Sequence, residues 1–236
     1  MAEDPVARED SEGAARRTTG VGIPVVEAAR LDGDLTLPDA AKAVVVFAHG
    51  AGSSRMSPRN QEVARVLQDA GLGTLLLDLL TAREEPVDEA TAEYRFDIDL
   101  LSRRMVAAID WLEQQPDTAG MPLGLFGAST GAAAALTAAA ERPLRIASVV
   151  CRGGRPDLAA QTLAYVRAPV LLIVGGNDPQ VLDLNREAAE QLHAPHRLDV
   201  IPGATHLFAE PDALKQVAFL ARDWFQDHPL VPATRV

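Results

Sequence analysis

The sequence PLGLFGASTGAAAALTAAA, residues 122–140, carries the strongest structural signal in the chain. An apolar run typical of a strand leads into G-A-S-T-G at 127–131, and an alanine-rich run typical of a helix follows it. A G-x-S-x-G between strand and helix is typical of a nucleophile elbow, a sharp turn that holds the serine in a strained backbone conformation. Only small neighbours leave room for such a turn. The alternative is a glycine-rich turn in which Ser129 only caps the helix.

Apolar runs and helical patterns alternate along the rest of the chain. Strands are predicted at 23–30, 35–38, 43–48, 73–77, 122–127, 145–150, 170–175 and 197–201. Helices are predicted at 58–70, 96–115, 130–140, 157–166, 180–193 and 211–226. This alternation favours an α/β fold, in which a mainly parallel sheet carries helices on both faces. The first two strands predict an N-terminal antiparallel hairpin that turns at Asp32-Gly33, and the acidic segment 81–95 predicts a surface loop.

The chain is expected to form one domain with a short tail at each end. Residues 1–20 are polar and of mixed charge, which predicts a flexible N-terminal tail. The α/β pattern then covers residues 21–228 without a linker, and residues 229–236 predict a C-terminal tail. Between the strand that ends near Cys151 and the strand that begins near Pro169 there is room for one short helix, so no cap domain is expected.

The composition disfavours several classes of protein. The chain has 236 residues, of which 47% are hydrophobic, and this content is enough to bury a core. Its 22 basic and 33 acidic residues give a net charge of −11, which disfavours binding to nucleic acid or to a membrane surface. No signal peptide or membrane span is recognisable, so a cytoplasmic location is predicted. One cysteine allows neither an internal disulfide nor a cysteine zinc cluster, and no metal or cofactor is expected. The oligomeric state has no signal in the sequence.

Polar residues follow two later strands, where the carboxyl ends of parallel strands meet at one edge of a sheet. Asp178 comes after the strand PVLLIVGG, and His206 comes after the strand RLDVI. With Ser129, the chain order is serine, aspartate, histidine. A serine hydroxyl becomes a nucleophile when a neutral imidazole takes its proton and a carboxylate fixes the tautomer of that imidazole. The alternatives are a helix cap for Asp178 and a loop histidine for His206.

A glycine-rich loop, HGAGSS at 49–54, follows the strand AVVVFA. Such a loop can turn a backbone N–H toward a nucleophile and form half of an oxyanion hole, with the N–H of Thr130 as the other half. The alternative is a loop whose glycines only turn the chain. Neither G-x-x-x-x-G-K-[ST] nor G-x-G-x-x-G occurs there, so nucleotide binding is not indicated. His49 is expected to brace this loop, and Asp78, at another strand end, is a weaker candidate for the acid.

The four motifs HGAGSS, GASTG, GGNDP and GATH, in this order, resemble those of the α/β-hydrolase superfamily, and most closely its dienelactone-hydrolase-like group. The resemblance covers about residues 21–228 and implies an α/β-hydrolase fold. It implies that Ser129 is the nucleophile, Asp178 the acid and His206 the base, and that the amides of Ala51 and Thr130 line the oxyanion hole. Dienelactone hydrolases themselves use a cysteine nucleophile. The serine here favours serine-esterase chemistry instead.

Four arginines near predicted strand ends are candidates for binding a substrate carboxylate or phosphate: Arg55, Arg59, Arg152 and Arg155. The alternative is that they pair with the acidic residues of 84–93 or are solvated. Cys151, at the end of a buried strand, is expected to pack as a small apolar residue rather than to act as the nucleophile.

The sequence therefore predicts a serine hydrolase that cleaves a small carboxylic ester or thioester through an acyl-enzyme intermediate. Its expected partner is a small-molecule ester substrate. The alternative is a non-catalytic ligand-binding protein on a hydrolase fold. A broken triad would indicate that alternative, and none of the three positions is broken.

Overall fold

An eight-stranded sheet with helices around it is built from residues 15–26 and 29–228, the part of the chain that the computed structural model describes. The strands, numbered in chain order, are β1 (Arg16–Pro24), β2 (Arg30–Pro38), β3 (Val44–Ala48), β4 (Gly73–Leu77), β5 (Leu123–Ala128), β6 (Ile146–Arg152), β7 (Val170–Gly175) and β8 (His196–Ile201). The helices are α1 (Pro58–Asp69), α2 (Glu85–Thr91), α3 (Ile98–Gln114), α4 (Thr130–Glu141), α5 (Pro179–Gln191) and α6 (Ala213–Asp227). In the sheet the strands lie in the order β1-β2-β4-β3-β5-β6-β7-β8.

The sheet is mainly parallel. Strands β3 to β8 pair in parallel, whereas β2 is antiparallel to both β1 and β4. Parallel neighbours need long crossover connections, which the helices supply. The predicted α/β architecture, with an antiparallel pair of strands at its start, is confirmed. Because the parallel strands all end at one edge, the loops after β3, β5, β7 and β8 meet there.

The inner strands are buried on both faces, which explains why the sequence shows continuous apolar runs rather than alternation. In β3, Val44 and Val46 belong to the core that includes α3 and α4, and Val45 and Phe47 belong to the core that includes α1 and α6. The rings of Phe47 and Phe126 have centroids 4.8 Å apart. Truncation of such a buried ring to alanine costs about 3–5 kcal/mol. The strand ends that carry the candidate site are therefore held rigidly.

The N-terminal hairpin differs from the prediction. The tail was expected to reach residue 20, but β1 begins at Arg16 and pairs with β2 from Pro38 backwards. Pairing with β2 orders this polar stretch. The hydroxyl groups of Thr18 and Thr36, which lie opposite each other, also form a hydrogen bond of 2.9 Å. The predicted turn at Asp32-Gly33 is wrong, because these residues lie inside β2 opposite Gly22 and Val21. The remaining predicted tails, 1–14 and 229–236, lie outside the described residues.

Two connecting segments also differ from the prediction. The predicted loop 81–95 contains the short helix α2, which has Pro86 in its first turn, a position that proline favours. The predicted helix 157–166 is two short 3-10 helices, Pro156–Ala159 and Leu163–Tyr165. The segment between β6 and β7, all of which the structure describes, contains these two short helices and no other helix or strand. It therefore contains no cap domain.

The helices also bear on location. In residues 15–26 and 29–228, every helix is too short or too polar to cross a membrane. The cytoplasmic location stays a prediction, as does the absence of a membrane partner.

Candidate active site

Ser129 lies in the sharp turn between β5 and α4, where the sequence predicts a nucleophile elbow. Its backbone has φ 52° and ψ −121°, a conformation that non-glycine residues rarely adopt. Three hydrogen bonds hold it there: the Ser129 N–H donates to the Arg152 carbonyl at 3.2 Å, and the Ser129 carbonyl accepts from the N–H groups of Ala132 at 3.1 Å and Arg155 at 3.0 Å. The strain is therefore maintained by the surrounding backbone. The Ser129 side chain makes no capping hydrogen bond to α4, so the helix-cap alternative is not supported.

The glycines around Ser129 are required by close backbone contacts. A Cβ atom on Gly127 would lie 2.5 Å from the Ala132 Cα, and one on Gly131 would lie 2.4 Å from the Ala48 carbonyl oxygen. A Cβ atom on Gly50 would lie 2.9 Å from the Ser129 Cβ. The close approach of β3, β5 and α4 that makes the turn possible thus leaves no space for a side chain at these positions.

Asp178 and His206 are brought together from the ends of β7 and β8. The Nδ1 atom of His206 lies 2.7 Å from the Oδ2 atom of Asp178. Asp178 directly precedes α5, yet its side chain makes no capping hydrogen bond to that helix. Its carboxylate is instead directed at the imidazole. With the proton on Nδ1, this contact leaves Nε2 free to accept a proton.

Ser129 and His206 both lie close to the carboxyl end of β6. Arg152 accepts the hydrogen bond from the Ser129 N–H, and a Cβ atom on the next residue, Gly153, would lie 3.5 Å from the His206 Cε1. The side-chain hydrogen bonds of residues 15–26 and 29–228 do not include one between Ser129 and His206. Such catalytic contacts are often long before substrate binds.

Two backbone N–H groups, those of Ala51 and Thr130, are the candidate oxyanion donors. Within the described ranges, neither donates a hydrogen bond to another backbone group. Both residues line the same cavity of about 450 Å³. Ser129 and His206 are not among the residues that line this cavity, but Thr130 directly follows Ser129 and Gly50 packs against it. Unpartnered N–H groups beside a serine can stabilise an oxyanion that forms there.

His49 braces the loop that carries Ala51, as predicted. The Leu79 N–H donates to its Nε2 at 2.9 Å, so Nδ1 carries the proton and donates to the Gly50 carbonyl at 2.9 Å. Burial lowers the pKa of His49, and the opposing effects of the Gly50 carbonyl and Asp78 are smaller. His49 is therefore neutral, as this pair of hydrogen bonds requires.

The cavity has a second wall that the sequence did not reveal. It is formed by α2 and the segment after it, including Glu85, Glu89 and Arg95. The carboxylate of Asp88 fixes this wall, because it accepts from the Tyr94 N–H at 2.9 Å, the Arg95 N–H at 2.8 Å and the Arg95 Nε at 2.8 Å. The Glu85-Pro86 pair, a common way to start a helix, was the available signal.

A model of the dienelactone hydrolase family matches residues 31–227. The chain belongs to the dienelactone hydrolase family. A dienelactone hydrolase from Anabaena variabilis has a solved structure that superimposes with a TM-score of 0.89 at 53% identity, covering 91% of this chain and 99% of that one. A dienelactone hydrolase-like promiscuous phosphotriesterase from metagenomic libraries superimposes with a TM-score of 0.74 at 19% identity, covering 91% of this chain and 99% of that one, and shows the fold alone.

Another relative extends beyond this chain. A Mycobacterium tuberculosis protein named putative phosphoribosyl transferase is 55% identical over 196 residues, which are 83% of this chain and 43% of that protein. The chain thus spans less than half the length of this curated relative. The predicted α/β-hydrolase fold is confirmed.

Cys151 does not supply the cysteine nucleophile that dienelactone hydrolases use. Its side chain is fully buried in the core that includes α3 and α4. Burial raises the pKa of the thiol to about 12. A thiol that is neither accessible nor ionised at neutral pH is a poor nucleophile.

Two of the four candidate arginines are neutralised by carboxylates. Arg55 pairs with Asp78, which also accepts from the Arg55 N–H at 2.6 Å, and Arg55 Nε lies 3.4 Å from Asp34. Arg155 forms two hydrogen bonds of 2.8 Å with Asp157. Ion pairing therefore accounts for both residues, although their partners lie outside the acidic segment 84–93. The ion pair with Arg55 gives Asp78 a structural role.

Arg59 and Arg152 form no ion pair with any described residue. Arg152 is 8% exposed and its Nη1 atom is buried without a partner, and the Nε atom of Arg59 is buried without a partner too. Burial, and then the charge of Arg59, lower the pKa of Arg152 to about 10. Arg152 is therefore still charged at neutral pH.

Proposed function

We propose that the protein is a serine hydrolase that cleaves a small carboxylic ester or thioester through an acyl-enzyme intermediate. Ser129 acts as the nucleophile, His206 as the general base and acid, and Asp178 as the residue that orients His206. The observation that carries the proposal is the 2.7 Å contact between His206 Nδ1 and Asp178 Oδ2, at the same sheet edge as the strained turn of Ser129.

Acylation follows from the proton positions. His206 Nε2 takes the proton of the Ser129 hydroxyl as Oγ attacks the acyl carbon. The carbonyl oxygen becomes an oxyanion that accepts hydrogen bonds from the N–H groups of Ala51 and Thr130. The carbon–oxygen or carbon–sulfur bond to the leaving group then breaks, and His206 gives its proton to that group. Asp178 favours the imidazolium that forms in between.

Deacylation repeats these steps with water. His206 takes a proton from a water molecule, which attacks the acyl carbon of the ester on Ser129. Collapse of the second oxyanion breaks the bond to Oγ, and His206 returns the proton to Ser129. A carboxylic acid leaves, and the enzyme regains its starting state.

The cavity supports a small substrate. Its volume of about 450 Å³ lies at the small end of the range for ligand pockets. Leu79, Leu80 and Leu101 supply an apolar wall, whereas Glu85 and Glu89 make another wall acidic. A short acyl chain or a small alcohol fits this mixture better than a long lipid chain.

A fluorophosphonate probe tests the proposal. The native protein is expected to be labelled, with peptide mass spectrometry locating the label on Ser129. Ser129→Ala should abolish labelling, and Cys151→Ala, the matched control, should retain it. A folded native protein that takes up no label, or takes it up elsewhere than Ser129, would overturn the proposal.

A further inference from the structure

Arg59 and Arg152 lie on the same face and at the same edge of the sheet. In β6 the side chain of Val150 belongs to the core that includes α1 and α6, whereas that of Cys151 belongs to the opposite core. Because side chains alternate along a strand, Arg152 is on the α1 and α6 side. Arg59 is the second residue of α1, which packs on that side. The two cations therefore lie on one side of the sheet, near the end of β6 and the start of α1.

Arg152 lacks the hydrogen-bond partners of Arg104, the other buried arginine among the described residues. Arg104 is 3% exposed, but its guanidinium donates to the Glu84 carboxylate and to the Leu79 carbonyl, both at 2.6 Å. Arg152 is almost equally buried and has no carboxylate partner in the described part of the chain. Burial lowers the pKa of Arg152 most, and repulsion by the Arg59 charge lowers it further. A nearly buried cation beside a second, half-buried cation is unfavourable without a counter-ion, so an anion that binds between them would be favoured.

We propose that Arg59 and Arg152 bind an oxyanion, a carboxylate or phosphate group, beneath the loop that carries His206. Guanidinium groups present paired N–H donors that match the oxygen spacing of both groups. The residue after Arg152 is Gly153, on which an added Cβ atom would lie 3.5 Å from the His206 Cε1, so the oxyanion would lie close to the proposed catalytic site. Glu210, a carboxylate on the same loop, forms no ion pair with either arginine in the described structure.

Thermal unfolding tests binding of a free oxyanion. Inorganic phosphate, compared with chloride at equal ionic strength, should raise the Tm of the native protein by about 2–4 °C at a few times its Kd. Arg59→Gln and Arg152→Gln should each lose this rise. Arg65→Gln, which removes an exposed arginine from the same helix, should keep it. A phosphate effect that persists in both variants at the arginine pair would overturn the site.

The oxyanion can be a free ion or an acidic part of the substrate, and the second case rests on the proposed function. Two p-nitrophenyl esters of equal length, one ending in a methyl group and one in a carboxylate, separate these sources. If the substrate supplies the group, Arg59→Gln should raise KM for the acidic ester at least about 10-fold more than for the neutral one. If the site binds a free ion, Arg59→Gln should lose the stabilisation by phosphate but should change KM equally for the two esters. Absence of both effects overturns the inference. A different outcome separates the two proposals. If the native protein cleaves neither ester, but phosphate stabilises it and not the Arg59→Gln and Arg152→Gln variants, the inference stands and the proposed function is overturned.

Discussion

The Nε2 atom of His49, in the loop after β3, accepts a hydrogen bond of 2.9 Å from the N–H of Leu79, in the segment after β4. This contact forces the imidazole proton onto Nδ1, which donates to the Gly50 carbonyl. The Gly50 carbonyl and the Ala51 N–H belong to the same peptide unit. His49 therefore fixes the orientation of a candidate oxyanion donor without touching the substrate.

Removal of His49 should weaken the oxyanion hole. His49→Ala is expected to lower kcat by roughly 10–10³-fold with a smaller change in KM, because an oxyanion interaction acts mainly in the transition state. His49→Gln, whose amide can both donate and accept, should recover part of the loss. Steady-state ester hydrolysis measures both, with exposed His193→Ala as the control. Equal kcat values in His49→Ala and His193→Ala would contradict this role.

The three proposed catalytic residues should act as a unit. Ser129→Ala and His206→Ala should each lower kcat by roughly 10³–10⁶-fold, and Asp178→Asn should cost somewhat less. Double variants should lose little more than the single ones, because each single change already disables the same step. Steady-state kinetics on folded proteins, verified by circular dichroism, tests this. Independent, multiplying effects would argue against a shared mechanism.

Cys151 should be chemically silent in the native protein. Because burial raises the pKa of its thiol to about 12, the thiolate is scarce at neutral pH. Ellman's reagent should therefore react with it only after unfolding, and Cys151→Ala should retain most activity. Fast reaction of the folded protein, or loss of turnover in folded Cys151→Ala, would transfer the role of nucleophile from Ser129 to Cys151.

The elbow glycine Gly131 should not tolerate a methyl group. Its Cβ atom would lie 2.4 Å from the Ala48 carbonyl oxygen, so Gly131→Ala forces β3 and α4 apart. The free energy of unfolding should fall by at least about 1–3 kcal/mol, and activity should be lost. Gly20→Ala is the matched control, because no atom lies within 4 Å of its added Cβ. Urea unfolding that gives equal stabilities for both variants would contradict the close contact.

The sequence predicted those parts of the site that follow directly from strand ends. Ser129 and Asp178 each follow an apolar run, and His206 follows the more polar strand RLDVI. Parallel strands bring such positions to one edge whatever the details of the sheet. The strained turn was predictable too, because its small residues are contiguous in the sequence.

Features that depend on contacts distant in sequence were not predictable. The alternative to substrate binding paired Arg55 with the acidic segment 84–93 or with solvent, but its partners are Asp34 in β2 and Asp78 directly after β4. The residues of β1 before 21 carry no apolar signal, and their order comes from pairing with β2 and from ion pairs of Arg16 with Asp69 and of Arg17 with Asp117. Helix α2 has 7 residues, too few for a helical period to show.

The ion pair and hydrogen bonds between Asp88 and Arg95 should stabilise the acidic cavity wall in a pH-dependent way. Burial raises the pKa of the Asp88 carboxyl, but the N–H groups of Arg95 and Tyr94 and the Arg95 guanidinium together lower it more, so it lies below its usual value. A lowered pKa in the folded state means that the carboxylate stabilises the fold above the pKa of the unfolded state, about 3.9. This stabilisation is lost as pH falls through the folded value.

Asp88→Asn should therefore be less stable than the native protein at pH 7, by about 1–3 kcal/mol, because it removes a charged acceptor of several hydrogen bonds. The difference should shrink as pH falls below about 4, where the carboxyl of the unfolded chain binds a proton, and it should vanish as pH falls through the lower pKa of the folded state. Urea unfolding at both pH values measures it. Asp183→Asn, which breaks an exposed pair with Arg186, should change stability little at either pH. A stability difference between Asp88→Asn and the native protein that stayed constant from pH 7 to pH 3 would show that shape, rather than the charge of Asp88, holds α2 against the cavity.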